Sequence, residues 1–213
     1  MGLFQRNPFG SGEHKPLYTL GQNKSVLIIG LGNIGKDYEG TRHNIGFRCL
    51  DALAAAHNLD GWMTKKDLSC QIAMGTVGGT RIILVKPTTM MNLSGQAVQA
   101  VQHFYKLANQ DMVVVHDELD VNFGLIRCRI GGSSAGNNGV KSVSQSVGED
   151  YGRVRIGIGP KHPEQIDSAD YVLAKFDPKE QSSLKDLERE VTALLTEYIA
   201  SGELPHETRS FLI

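Results

Sequence analysis

The sequence predicts a single α/β domain built on a mixed β-sheet surrounded by helices, and three observations carry that reading. Val26-Leu-Ile-Ile-Gly30 is a short continuous apolar run ending in glycine, the pattern of a strand buried on both faces of an α/β sheet. Further short β-rich runs are interleaved with longer stretches whose apolar residues recur every three or four positions, as in helices packed on a sheet. Two of the strand-like runs are joined by Gly78-Gly79, a hairpin signal that makes the sheet mixed. With 213 residues and 40% hydrophobic content the chain can bury one core of ordinary size, and no second domain is required.

In chain order, residues 1–24 are polar and rich in glycine and proline, so they are expected to form a mobile or loosely docked extension ahead of a domain spanning 25–213. Met1-Gly2 is followed by Arg6 where a myristoylation signal needs Ser or Thr, and Arg6, Lys15 and Lys24 are sparse for a transit peptide. After the first strand comes a loop and then a helix from Asn44 to about His57, where Ile45, Phe47, Leu50, Leu53 and Ala54 recur at mainly helical spacing with Asn44 as N-cap. Strands at Ser69–Val77 and Arg81–Lys86 flank the Gly78-Gly79 turn. A helix from Ser94 to about Leu107 places Val98, Val101, Phe104 and Tyr105 on one apolar face. Strands follow at Met112–Val115 and Leu125–Ile130, then a helix after Gly139, then a strand at Val154–Ile158. The last helix runs from Pro178 to about Ala200. Asp177 is its N-cap, Pro178 lies in its first turn, Glu180 stands three residues after the cap, and Leu184, Leu187, Val191, Leu194, Leu195, Tyr198 and Ile199 repeat at helical spacing, so the helix packs on the domain.

A formal net charge of −1 and a pI near 6.7 argue against a protein that coats nucleic acid generally, while leaving room for a local phosphate site. Cys49, Cys70 and Cys128 form no closely spaced metal pair and leave one odd thiol after any disulfide, which favours a reducing compartment without structural zinc. The chain has neither the roughly 20-residue apolar run of a membrane helix nor the apolar core of a secretory signal, so a protein with no membrane association is expected.

The chemistry-bearing residues are dispersed. His43 in Thr-Arg-His-Asn and Asp117 in His-Asp-Glu-Leu-Asp can form a base and its orienting carboxylate, with either ring nitrogen as the one that is oriented. Asn33, Asn92 and Asn138 add amide hydrogen-bonding groups, and no covalent nucleophile stands out. That set suits activation of water against an acyl bond, so hydrolysis is the leading function. Each member also has a plainer reading. His43 can be a satisfied core or surface histidine, Asp117-Glu118 the start of a solvated turn, Asn92 a helix cap and Gly131–Gly139 an ordinary flexible loop. Gly30-Leu-Gly-Asn-Ile-Gly35, with Asp51 about 20 residues on, fits the spacing of a dinucleotide fingerprint. The fit is deceptive, because eight residues separate Gly35 from the expected helix and Asp51 falls inside that helix. Between residues 121 and 161, Arg127, Arg129, Lys141, Arg153, Arg155 and Lys161 face only Glu149 and Asp150. This excess reads either as a phosphate grip or as a solvated sheet face.

Six ordered blocks then converge on one family. Gly-Leu-Gly-Asn-Ile-Gly, Tyr38 followed by Thr-Arg-His-Asn, Pro-Thr-Thr-Met-Met-Asn-Leu-Ser-Gly, His-Asp-Glu-Leu-Asp, Gly-Asn-Asn-Gly-Val-Lys and Arg-Ile-Gly-Ile-Gly resemble the bacterial-type peptidyl-tRNA hydrolases over about residues 25–200. The resemblance implies a monomeric, cytoplasmic, metal- and cofactor-independent enzyme without an obligate protein partner, cleaving the ester between a peptide and the 3′ end of tRNA. By motif, His43 would be the general base and Asp117 its orienter. Asn33, Asn92 and Asn138 would position peptide, terminal adenosine and water; Tyr38 and Met91 would line the substrate channel; Arg129 and Arg155 would clamp the tRNA 5′ phosphate. Arg129 stands where lysine is usual, and keeps the charge. Ile34 replaces a customary proline and is expected to loosen the turn at Asn33, while Asn137 replaces a histidine and is expected to alter loop packing or substrate contacts. An RNA-binding relative without turnover is the rival reading, against which the retained His43, Asp117 and three asparagines argue.

Overall fold

The computed structural model describes residues 24–212, so the extension expected at the N-terminus lies outside the described residues apart from Lys24. The elements, in order, are β1 (Ser25–Gly30), α1 (Ile45–Ala56), β2 (Met63–Lys65), β3 (Cys70–Val77), β4 (Thr80–Pro87), α2 (Ser94–Tyr105), β5 (Met112–Asn122), β6 (Leu125–Ile130), α3 (Asn138–Val147), β7 (Gly152–Gly159), α4 (Ser168–Leu173), α5 (Pro178–Ser201) and β8 (Thr208–Ser210). The strands form one mixed sheet in the order β2-β3-β4-β1-β5-β7-β6-β8. Its centre is parallel, β1 pairing with β4 and β5, and β5 with β7. Its margins are antiparallel, through the β3–β4 hairpin and β2 on one side and through β6 and β8 on the other.

Both faces of the central strands are covered, which is why β1 reads as an unbroken apolar run. Val26 and Ile28 pack with Ile45, Leu50 and Leu53 of α1 and with the Leu184–Ile199 stripe of α5. Leu27 and Ile29 pack on the opposite face with Val98 and Val101 of α2 and Val140 and Val143 of α3. The same alternation divides β5, with Val113 and Val115 on the α1 and α5 side and Met112 and Val114 on the other. Every one of these strand side chains is essentially excluded from solvent, each contributing roughly 1.5–3 kcal/mol of transfer free energy.

Several expectations are corrected. β5 does not end at Val115 but runs to Asn122, because β7 remains its partner beyond that point, with a register irregularity between Glu118 and Asn122. α2 stops at Tyr105, where Lys106 adopts a left-handed conformation (φ 55°), and Phe104 is 62% exposed instead of facing the core. Asn44 occupies the N-cap position of α1 without capping it. The last helix has the expected start: Asp177 Oδ1 accepts the Glu180 N–H and Glu180 Oε2 accepts the Asp177 N–H, both at 2.8 Å.

The sheet's carboxyl edge creates a ledge. β1 pairs with β5 only as far as Gly30 opposite Val115, whereas β5 continues beside β7. The chain leaving β1 passes through helical turns at Lys36–Tyr38 and Arg42–Asn44 before entering α1. Gly46 lets that entry press onto the ledge, since a Cβ there would lie 2.5 Å from the Val115 carbonyl oxygen and 2.6 Å from the Leu31 main-chain N and O. His43, three residues before Gly46, is thereby set opposite Asp117, two residues beyond Val115.

Candidate active site

His43 and Asp117 meet across 74 residues of chain. The imidazole Nδ1 lies 2.9 Å from Asp117 Oδ2 and 3.0 Å from Oδ1. An ionised carboxylate only accepts, so Nδ1 carries the proton and the neutral ring presents its lone pair at Nε2. This resolves which nitrogen is oriented. Nε2 has no hydrogen-bond partner among the described residues, and the ring lines a cleft of about 550 Å³. Burial of the ring opposes its protonation, while the charge and hydrogen bond of Asp117 favour it; the net effect holds His43 above its ordinary value of 6.5. Asp117 and Glu118 are 3% and 2% exposed, which excludes a solvated turn.

The same cleft is lined by Asn33, Tyr38, Met91, Asn92 and Asn138. Asn33 is braced at three points: its N–H donates to Asn44 Oδ1 (2.9 Å), its carbonyl accepts from Asn44 Nδ2 (2.9 Å), and its Oδ1 accepts the Met91 N–H (2.7 Å). Asn44 is thus spent on Asn33 and not on capping. A main-chain N–H can only donate, so the oxygen of Asn33 is turned toward Met91, and its NH₂ has no hydrogen-bond partner among the described residues. These bonds fix Asn33 directly ahead of Ile34. Asn92 is exposed and caps nothing, being the middle residue of the Met91–Leu93 turn. Asn138 is exposed in the first turn of α3. Gly139, beside it, brings that turn against Met91, whose Sδ would overlap a Cβ at this position. Tyr38 is half-buried on the wall.

Arg129 and Arg155 do not line the cleft. They lie on the adjoining sheet face, where the β6–β7 register sets Arg127 opposite Arg155 and Arg129 opposite Arg153. Arg155 Nε is 3.1 Å from Glu118 Oε2, and Glu118 reaches the cleft. Burial pushes the Glu118 carboxyl up, against the opposing pull of Arg155. Arg129 and Arg153 both donate to the Ser133 carbonyl, at 3.0 and 2.8 Å. Burial and the neighbouring guanidinium groups of Arg155 and Arg153 lower Arg129 from its ordinary value. Arg153 is fully buried, with its guanidinium 4.8 Å from the Tyr151 ring centroid, whereas Arg127 on the same face is exposed and Arg129 and Arg155 are half-buried, so the face is solvated only in part.

Sequence reasoning missed α4, whose Ser168, Ala169, Val172 and Leu173 form one wall of the cleft. Its only strong local signal is the Asp167 cap, which accepts the Ala169 N–H at 2.7 Å. Also missed was Glu118 as the link between cleft and arginines. The dinucleotide reading fails structurally, because Asp51 lies within α1 and is ion-paired with Lys86. Among the described residues no group of three His, Cys, Asp or Glu side chains is arranged to hold a metal ion.

Comparison with known proteins agrees with this architecture. The peptidyl-tRNA hydrolase family model matches residues 27–211. A peptidyl-tRNA hydrolase of Paracoccus denitrificans is 46% identical over 167 residues, covering 78% of this chain and 69% of its own length. One from Rickettsia bellii is 46% identical over 155 residues, covering 73% and 83%. The crystal structure of peptidyl-tRNA hydrolase from Acinetobacter baumannii superposes with a TM-score of 0.77 at 33% identity, covering 84% of this chain and 90% of that one.

Proposed function

The chain belongs to the peptidyl-tRNA hydrolase family and is a hydrolase of that class, and we propose that its cleft cleaves the ester between an N-blocked peptide and the 3′ end of tRNA with His43 as general base. The observation that carries this reading is the His43–Asp117 pair, with Nε2 open to a cleft that also holds the amides of Asn33, Asn92 and Asn138. Water bound at Nε2 gives up a proton to the imidazole as its oxygen attacks the ester carbonyl. Asp117 stabilises the imidazolium so formed without itself becoming protonated. The imidazolium then returns the proton to the departing ribose oxygen, leaving a peptide carboxylic acid, which ionises, and a free tRNA 3′ hydroxyl.

An ester is a modest chemical challenge, so the site's work is largely selection. The NH₂ of Asn33 and the exposed amide of Asn92 are the groups to bond the first peptide unit, which a free aminoacyl group lacks. Arg129 and Arg155 take the 5′ phosphate on the adjoining sheet face, a role supported by their charge and closeness to the cleft through Glu118. We assign the chain to the cytoplasm as a monomer that recycles tRNA from prematurely released peptides; no helix among the described residues is long and apolar enough to cross a membrane.

The test is release of N-acetyl-aminoacyl groups from tRNA by the purified protein, with unblocked aminoacyl-tRNA and added chelator as controls. Rapid, chelator-insensitive cleavage confined to the blocked substrate is expected. Folded protein that binds tRNA and releases nothing would contradict the assignment and favour an RNA-binding relative.

A further inference from the structure

Asn137 is buried where the loop from β6 enters α3, and its side-chain amide is fully engaged by the protein. Its Oδ1 accepts the N–H groups of Gly139 (3.0 Å) and Val140 (3.1 Å), capping α3. Its Nδ2 donates to Asp117 Oδ1 (2.9 Å) and to the Asp117 carbonyl oxygen (3.2 Å). Because the helix N–H groups can only donate, the amide has one allowed orientation, and its NH₂ must face the carboxylate. The Asp117 side chain is therefore gripped by His43 on one side and by the rigid start of α3 on the other.

From this geometry, and resting on the reading of His43 and Asp117 as base and orienter, we infer that Asn137 is the positioning residue of the pair. It fixes the rotamer in which both Asp117 oxygens face His43 Nδ1 and ties that rotamer to α3. An amide does not titrate, so the grip is the same on both sides of neutrality and the acid limb of activity belongs to His43. The surrounding charged groups are already matched or silent. On β5 and β7, Glu118 is paired with Arg155. His116 donates from Nδ1 to the Asp117 carbonyl oxygen (2.7 Å) and is pushed down to about 4, chiefly by burial. On the His43 segment, Arg42 is paired with Glu180 of α5 (2.6 Å) and lies over the Tyr171 ring of α4. On α1, Arg48 and Asp51 are paired with Glu188 and Lys86.

Two substitutions separate the cap from the grip. Asn137→Ser keeps a capping oxygen but cannot reach Asp117; kcat should fall about 10-fold with KM and Tm little changed, since misplacing a reacting group is costly in rate. Asn137→Asp also keeps the cap and sets a second carboxylate against the first. It should lower kcat and move the acid limb to higher pH, because added negative charge favours the imidazolium. Wild-type kcat and pH profile in either variant would overturn the inference, as would kcat falling only in step with Tm while the limb stays fixed. His43→Ala is assayed in parallel. If it is inactive and the Asn137 variants are unaltered, the inference alone is rejected; if it is active, the base assignment falls and the inference with it.

Discussion

His43 combines two opposed requirements: a base must be neutral to accept a proton, yet Asp117 favours its charged form. Burial and the carboxylate pull its ionisation in opposite directions, and the carboxylate prevails. The acid limb of kcat/KM is therefore expected above the ordinary histidine value of 6.5, with activity lost as pH falls through it. Asp117→Asn removes both influences that raise the ring and leaves the burial that lowers it. A pH–rate profile of this variant should show the limb displaced to lower pH and the plateau reduced by about 10²-fold or more; an undisplaced limb would detach Asp117 from His43. At the same scale, Asn33→Ala and Asn92→Ala should erode the preference for blocked over unblocked aminoacyl-tRNA. Unchanged turnover and preference in both would remove them from substrate selection.

At the level of elements, the β6–β7 arginine face and the seat of α1 make separate demands. Replacing Arg129 or Arg155 by Ala should raise KM for full-length tRNA substrate and lower the slope of its salt dependence by about 1 for each phosphate no longer neutralised. Hydrolysis of a minimal substrate lacking the 5′ end should change little for Arg129→Ala, because Arg129 does not line the cleft, whereas Arg155→Ala also leaves the buried Glu118 carboxylate at the cleft unpaired; an equal loss on both substrates from Arg129→Ala would place that residue in the chemistry instead. The α1 seat is tested by Gly46→Ala. Its new methyl group overlaps main-chain atoms of Val115 and Leu31, which cannot yield as a flexible side chain would. A loss on the order of 1–3 kcal/mol in stability is expected in denaturant unfolding, together with reduced kcat as His43 shifts from Asp117.

Across the whole molecule, what was legible in the sequence is what is encoded locally. β1 announces itself because it is apolar on both faces, and α5 because its cap, proline and Glu180 fall at fixed offsets ahead of a helical stripe. β2, β8 and the outer half of β5 are polar and owe their conformation to a neighbouring strand, so no run of apolar residues marks them. α4 is six residues long and buries only Tyr171, too little for a periodic signal. His43, Asp117 and the three asparagines were identifiable by residue type and block spacing, and they line one cleft. The hydrogen bonds of Asn44, Glu118 and Asn137 were not, because their partners lie 11, 37 and 20 residues away and no local pattern marks them. The cysteine reading has a direct check. All three thiols are free and buried, with burial pushing Cys70 and Cys128 up to about 12. A thiol reagent should titrate none of them in the native protein and all three after unfolding.

The most direct test of the central claim is single-turnover release of an N-acetyl-aminoacyl group from tRNA by wild type and His43→Ala at saturating enzyme. The variant's rate is expected to be lower by about 10²- to 10⁴-fold, with tRNA affinity and Tm retained. A His43→Ala protein that cleaves at close to the wild-type rate would contradict it.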